Sequence, residues 1–224
     1  MRHYLALCVS RNPVDWPLGN LPFYNYRDPT VFPRTRSRER IDWLAEAWNR
    51  CHTLGLESYP DATHILNTGS YYATQTAATR LLIQRYEELD SEIVLAGNVW
   101  AVMNDRLFTT TRRTYDFWAF PDLKGWEYYL RPPDDGLIQV SSVGMPCIYP
   151  VQTWRDHPFH NPESMDDGIW YNQFCRESGL AVFCDLSIRF YRTKHDSDIR
   201  EVSIRHRIHR ELVLARRLVR RPTS

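Results

Sequence analysis

A chain of 224 residues, 43% hydrophobic, can bury one substantial core, which predicts one large α/β domain with a tail rather than two small units. Its five cysteines (Cys8, Cys51, Cys147, Cys175, Cys184) are scattered without a C-x-x-C pair, which argues against a disulfide framework and a cysteine zinc site and predicts buried free thiols. The net charge of +1 hides an asymmetry: from Arg189 onward eleven Lys/Arg face four Asp/Glu, while the preceding residues carry seventeen against twenty-three, so an acidic body ends in a basic tail.

His3 to Val9 is a continuous apolar run, as expected of a buried strand opening an α/β domain. It is too short for a signal peptide, and no stretch of about 18 apolar residues occurs, so a cytoplasmic location is expected, with attachment to a membrane periphery left open. Residues 10 to 35 hold five prolines and read as a long irregular loop. Ser37 is placed to cap a helix carrying Ile41, Leu44, Ala45, Trp48, Cys51 and Leu54 at helical spacing, with Gly55 as its stop.

Thr63 to Asn67 predicts a second strand, and Thr74 to Leu89 a helix with Ala77, Ala78, Leu81, Leu82 and Tyr86 inward. Glu92 to Ala96 predicts a third strand. Alternating strands and helices imply a mainly parallel mixed sheet whose ligands bind at the strands' carboxyl ends: Ser10 and Arg11, Asn67 to Ser70, and Gly97 with Asn98. Further on, Leu137 to Val143, Leu180 to Cys184 and Ser187 to Tyr191 read as strands, and Glu163 to Ser178 as a helix stopped by Gly179. Ile199 to Val219 sets Val202, Ile208, Leu212, Leu214, Ala215 and Leu218 among arginines and predicts a basic amphipathic helix. The organisation expected is a domain over 1–194 and a basic helix and tail over 195–224.

No G-x-G-x-x-G, P-loop, G-x-S-x-G or H-E-x-x-H pattern is present, which removes the common dinucleotide, P-loop, hydrolase-elbow and zinc-protease readings. What remains is an ordered series of short blocks. These are Arg36-Ser37-Arg38-Glu39-Arg40-Ile41, Ile65-Leu66-Asn67-Thr68-Gly69 and Thr114-Tyr115-Asp116-Phe117-Trp118, followed by Asp122 and Gly125. Ser141-Ser142-Val143-Gly144-Met145-Pro146, Glu163-Ser164-Met165-Asp166-Asp167 and Ile188-Arg189-Phe190-Tyr191 complete it. In order and spacing the series resembles the fungal capsule-associated α-mannosyltransferase family over roughly residues 36 to 192.

The resemblance implies a GT-A fold that binds a nucleotide-diphospho-sugar and transfers a hexose to a hydroxyl acceptor: a glycan, a lipid-linked glycan or a modified DNA base. It also implies a divalent metal, Mn²⁺ or Mg²⁺, bridging the diphosphate. Here Asn67-Thr68 stands where the family has Asn-Asp and other GT-A enzymes have Asp-x-Asp, so a unit of negative charge suited to a hard cation is missing. Arg11, Arg36 and Arg40 are the candidates to neutralise the diphosphate instead. The donor set expected is therefore Ser10, Arg11, Arg36, Arg40, Asn67, Thr68, Gly69 and Ser70.

For catalysis the candidates are Asp116, whose aromatic surroundings would raise its pKa, and Asp166 or Asp167 as the base for the attacking hydroxyl. Tyr115, Trp118, Gly144 and Glu163 are the acceptor candidates, and His195 a late metal ligand. Each has a plainer alternative: packing for the aromatics, a turn for Asp116, helix-dipole complementation for the 163–167 carboxylates and a surface position for His195. The basic helix either packs on the domain with solvated arginines or contacts phosphates of an anionic membrane surface or DNA. A non-catalytic GT-A-like protein that holds a glycan or scaffolds a complex is the alternative to an enzyme.

Overall fold

The computed structural model describes residues 1–28, 30, 37–70, 72–104, 111–114, 136–163, 170–191, 200–201, 208 and 211–212, with 101–104, 111–114 and 200–201 as backbone only. Among them the chain forms β1 (Tyr4–Ser10), β2 (Phe23–Arg27), α1 (Arg38–Ser58), β3 (His64–Asn67), α2 (Thr76–Leu89) and β4 (Val94–Asn104). There follow β5 (Thr111–Thr114), β6 (Leu137–Gln139), β7 (Cys147–Pro150), α3 (Val151–Asp156), α4 (Trp170–Glu177), β8 (Val182–Tyr191) and β9 (Arg200–Glu201). The strands make one sheet in the order β2-β1-β3-β7-β4-β8-β6, with β5 and β9 alongside the far half of β4. Six strands run one way, and β5, β6 and β7 run against them.

The alternation of side chains along each strand divides the core in two. Leu5 and Leu7 of β1, Ile65 of β3, Tyr149 of β7 and Cys184 of β8 pack under Ile41, Ala45, Trp48 and Cys51 of α1 and Tyr171 and Phe174 of α4. Tyr4, Ala6, Leu66, Leu95 and Ile148 pack on the opposite face with Leu82 and Tyr86 of α2. Burial on both faces explains why β1 reads as an unbroken apolar run. The Ser37 hydroxyl accepts from the Arg40 amide at 3.3 Å and caps α1, an interaction worth about 1 kcal/mol over alanine.

Several expectations are corrected. The 10–35 stretch is not all loop: Phe23–Arg27 forms an edge strand parallel to β1, missed because its half-buried F-Y-N-Y-R pattern has no apolar alternation. Gly55 does not stop α1, which continues to Ser58. A Cβ on Gly55 would lie 2.6 Å from the Leu7 side chain, so the glycine lets helix and strand approach. Leu54, Ala77 and Leu81, expected inward, are exposed; α2 buries Leu82 and Tyr86 as expected, and Thr79 with them.

The sheet is less parallel than expected because β7, whose apolar Cys147–Pro150 run carried no distinguishing signal, inserts antiparallel between β3 and β4. The two late strands are one, β8, whose register against β4 shifts between Gly97 and Asn98. Asp185 holds this irregularity: it accepts from the Ser187 amide at 3.0 Å and pairs with Arg85 of α2 at 3.1 Å. Beyond 195 the chain is not helix throughout, since Arg200–Glu201 pair with β4; Ile208 and Leu212, on the apolar face that one of the two readings packs on the domain, are 46% and 55% exposed. The five cysteines are free and buried as expected, with burial pushing Cys8 and Cys51 up to about 12 and Cys175 to about 11.

Candidate functional site at the carboxyl edge of the sheet

Strands β1 and β3 are parallel neighbours, with Leu7 paired to Asn67 and the Thr68 amide donating to the Leu7 carbonyl at 2.9 Å. The chain leaves β1 toward β2 on one side and leaves β3 through α2 toward β4 on the other. Diverging connections at adjacent carboxyl ends create the crevice where open α/β sheets bind ligands. Ser10 and Arg11 lie on one side of it and Thr68, Gly69 and Ser70 on the other.

The N-terminus of α1 reaches the same edge. After β2, the Asp28 amide donates to the Ser10 carbonyl at 3.0 Å, and Asp28 accepts from Trp43 Nε1 at 3.2 Å and from the Thr30 amide at 2.9 Å. Those hydrogen bonds, the Thr30 contact foremost, hold the Asp28 carboxyl below its ordinary range. The 157–163 segment then climbs along α1. Asn49 bonds Phe159 through both amide and carbonyl (2.9 and 2.7 Å), Asn161 donates to Asp42 at 2.9 Å, and Arg38 donates to the Pro162 and Glu163 carbonyls at 2.6 and 2.9 Å. Arg38, Arg40 and Glu163 therefore share the edge with Ser10 and Thr68, and Gly144 joins them on the loop that enters β7.

The side chains differ in how far they suit the roles expected of them. Ser10 is half-buried; its hydroxyl donates to the Asn12 carbonyl at 2.5 Å and lies 2.8 Å from the Asn25 side-chain amide. Arg11, Ser70 and Glu163 are exposed and Arg40 half-buried. Thr68 is buried, with its hydroxyl 3.4 Å from the Gly69 carbonyl, and a Cβ on Gly69 would sit 3.3 Å from the Tyr72 ring.

Asn67 departs most from expectation: fully buried, it faces the core instead of the crevice, because it alternates with Leu66 and shares the α1/α4 face with Ile65. Its amide nitrogen donates to the hydroxyls of Tyr149 and Tyr171 at 2.5 and 3.0 Å. Tyr149 donates in turn to His52 Nε2 at 2.7 Å, and His52 Nδ1 carries the proton because its partner, the Trp48 carbonyl at 2.6 Å, can only accept. Burial pushes His52 down to about 3 and both tyrosines well above their ordinary value, so every member stays neutral. Sequence pattern gave no sign of this network, because its members come from four separate elements.

Arg36, Tyr115, Asp116, Trp118, Asp166, Asp167 and His195 lie outside the described residues. Among the described residues no group of three His, Cys, Asp or Glu could hold a metal ion. At the end of β3, a buried amide committed to two tyrosines and a buried threonine hydroxyl do not make the carboxylate set a hard divalent cation takes.

No family model and no curated protein matches the chain. Among solved structures it is similar to the crystal structure of A197 from STIV, at 11% identity over 84% of this chain and 83% of that one, with a TM-score of 0.42.

The second half of the edge belongs to β4 and β8, where Asn98 pairs with Arg189 and Trp100 with Tyr191. The Arg189 guanidinium lies 4.5 Å over the Trp100 ring, and Tyr191 meets Trp100 edge-on at 6.4 Å. The Gln75 side chain donates to the Tyr191 carbonyl at 2.6 Å and accepts from its amide at 2.7 Å, tying β8 to the start of α2. Sequence reading put Asn98 at a strand end but assigned no role to Trp100, Arg189 or Tyr191. The alternation of Val99 and Phe190 into the opposite core was the available signal. No helix among the described residues is long and apolar enough to cross a membrane.

Proposed function

We propose that this protein is a glycosyltransferase with a GT-A-like domain, which binds a nucleotide-diphospho-sugar at the crevice between β1 and β3 and transfers its hexose to a hydroxyl acceptor. The observation that carries the reading is the switch point itself: the ends of β1 and β3 diverge around one crevice, with Arg11 and Arg40 on the same edge. Guanidinium groups bind diphosphate oxygens bidentately and stabilise the negative charge that grows as the leaving group departs.

In the reaction, the acceptor oxygen forms a bond to the anomeric carbon as the bond from that carbon to the phosphate oxygen breaks. The electron pair leaves on the nucleoside diphosphate. The acceptor's proton passes to a carboxylate, for which Asp116, Asp166 and Asp167 are the candidates.

Thermal shift of the purified chain against GDP-, UDP- and dTDP-sugars, with and without Mn²⁺, tests the proposal. A donor at 100 times its dissociation constant stabilises by about 2.7 kcal/mol. One nucleotide-sugar is expected to raise Tm equally with and without Mn²⁺. No shift with any donor, in protein whose circular dichroism reports a folded state, overturns the reading in favour of a non-catalytic binding protein.

A further inference from the structure

Past the register shift, Asn98, Trp100, Arg189 and Tyr191 occupy one face of β4 and β8, while Val99 and Phe190 between them enter the core beneath α2. Asn98 is 1% exposed, yet its Oδ1 has no donor, and the enclosed Trp100 Nε1 has no acceptor. An orphan of this kind destabilises the fold, so two of them side by side call for an explanation. Two residues along a strand sets them about 7 Å apart at the Cα atoms. One needs a donor and the other an acceptor.

That pairing of opposite needs selects the ligand chemistry. A phosphate oxygen only accepts, so it would satisfy Trp100 and leave Asn98 unpaired; an ammonium group only donates and would do the reverse. Hydroxyl groups do both, and neighbouring hydroxyls on one ring satisfy both residues together. The remaining members fit the same ring. Tyr191, 41% exposed and held in place by Gln75, offers an aromatic face for the C–H side of a sugar, and the Arg189 guanidinium stacks on the Trp100 ring beside it.

We infer that this patch is a carbohydrate subsite and that the hydroxyl acceptor of the reaction is itself a sugar, an inference that rests on the transferase reading for the word acceptor but not for the binding. It lies on the same carboxyl edge as the β1/β3 crevice, separated from it by β7, as a second substrate's site would have to be.

Saturation-transfer NMR on the full chain, with the methyl glycosides of mannose, glucose and galactose as probes, tests it. The wild type is expected to bind at least one glycoside. Trp100→Phe, which keeps the ring and removes the N–H, and Tyr191→Ala, at an exposed position, are each expected to weaken that binding at least tenfold. Both are expected to leave any nucleotide-sugar thermal shift in place. Binding to none of the glycosides overturns the subsite, as does binding that neither variant weakens; either result assigns the orphan atoms to a buried water. If Trp100→Phe fails to fold, Tyr191→Ala decides alone. Loss of glycoside binding in the variants, together with no nucleotide-sugar shift in the wild type, supports the subsite and removes the transferase reading.

Discussion

The two ends of the central sheet are built from similar residues to opposite effect. At the amino end, Tyr4 donates to Glu87 at 2.6 Å, and Arg2 donates to the Tyr86 carbonyl at 3.1 Å while lying 5.0 Å over the Tyr86 ring. There His64 has Thr63 on Nδ1 at 2.8 Å and Glu92 at 3.6 Å from Nε2, within ion-pair reach though beyond a hydrogen bond. Apart from His64 Nε2, which is enclosed without a hydrogen bond, the donors and acceptors named here find each other and tie β1, β3 and α2 together. At the carboxyl end, Asn67 Oδ1, Asn98 Oδ1 and Trp100 Nε1 are enclosed without partners. Enclosed polar atoms without partners occur at both ends, one of those named at the amino end and three at the carboxyl end, so the stability forgone is concentrated where the candidate site lies.

The largest effect expected comes from the network just beneath the carboxyl edge. Tyr149→Phe leaves His52 Nε2 without a partner and the Asn67 amide with Tyr171 alone, and should cost about 2–3 kcal/mol in urea denaturation, a loss at the high end for a single hydroxyl. A cost below about 1 kcal/mol would mean that the network relaxes or is hydrated, and the contrast between the ends would narrow.

Next in size is a pH dependence. His52 stays neutral in the folded protein down to about 3, whereas the unfolded chain takes up this proton below about 6.5. The unfolded state therefore binds more protons between those values, and stability falls as pH falls through that window, by up to about 1.4 kcal/mol per pH unit from this group. His52→Gln should flatten the slope of stability against pH from 6.5 downward. An unchanged slope would assign the acid sensitivity to the amino end, where burial also pushes His64 down.

The smallest effect is expected there. Glu87→Gln keeps an acceptor for Tyr4 and removes the charge facing Arg2, which should cost about 1 kcal/mol or less and leave glycoside and nucleotide-sugar binding unchanged. A change in ligand binding would couple the two ends and break the comparison.

The elements that are self-contained in sequence were legible in it. β1 announced itself as an apolar run, α1 by its cap and period, β3 by His64–Asn67 and α4 by Gly179, whose φ of 64° ends the helix as only glycine does readily. The short edge strand β2 and the inserted strand β7 were not legible. Their formation depends on partners distant in sequence, and a run of four apolar residues does not reveal the direction in which it will pair.

The site divides in the same way. Strand alternation and the rule of carboxyl ends bring Ser10, Arg11, Thr68, Gly69 and Ser70 to one crevice from local pattern alone. What only the tertiary structure decided is the direction of particular side chains: Asn67 turned into the core, and Asn98, Trp100, Arg189 and Tyr191 gathered on one face. A period of two fixes that successive residues alternate, but which face becomes core is set by the helices that cover it. In this protein α1 and α4 cover Asn67, and a three-residue shift in register at Gly97 determines which residues of β8 stand beside Asn98 and Trp100.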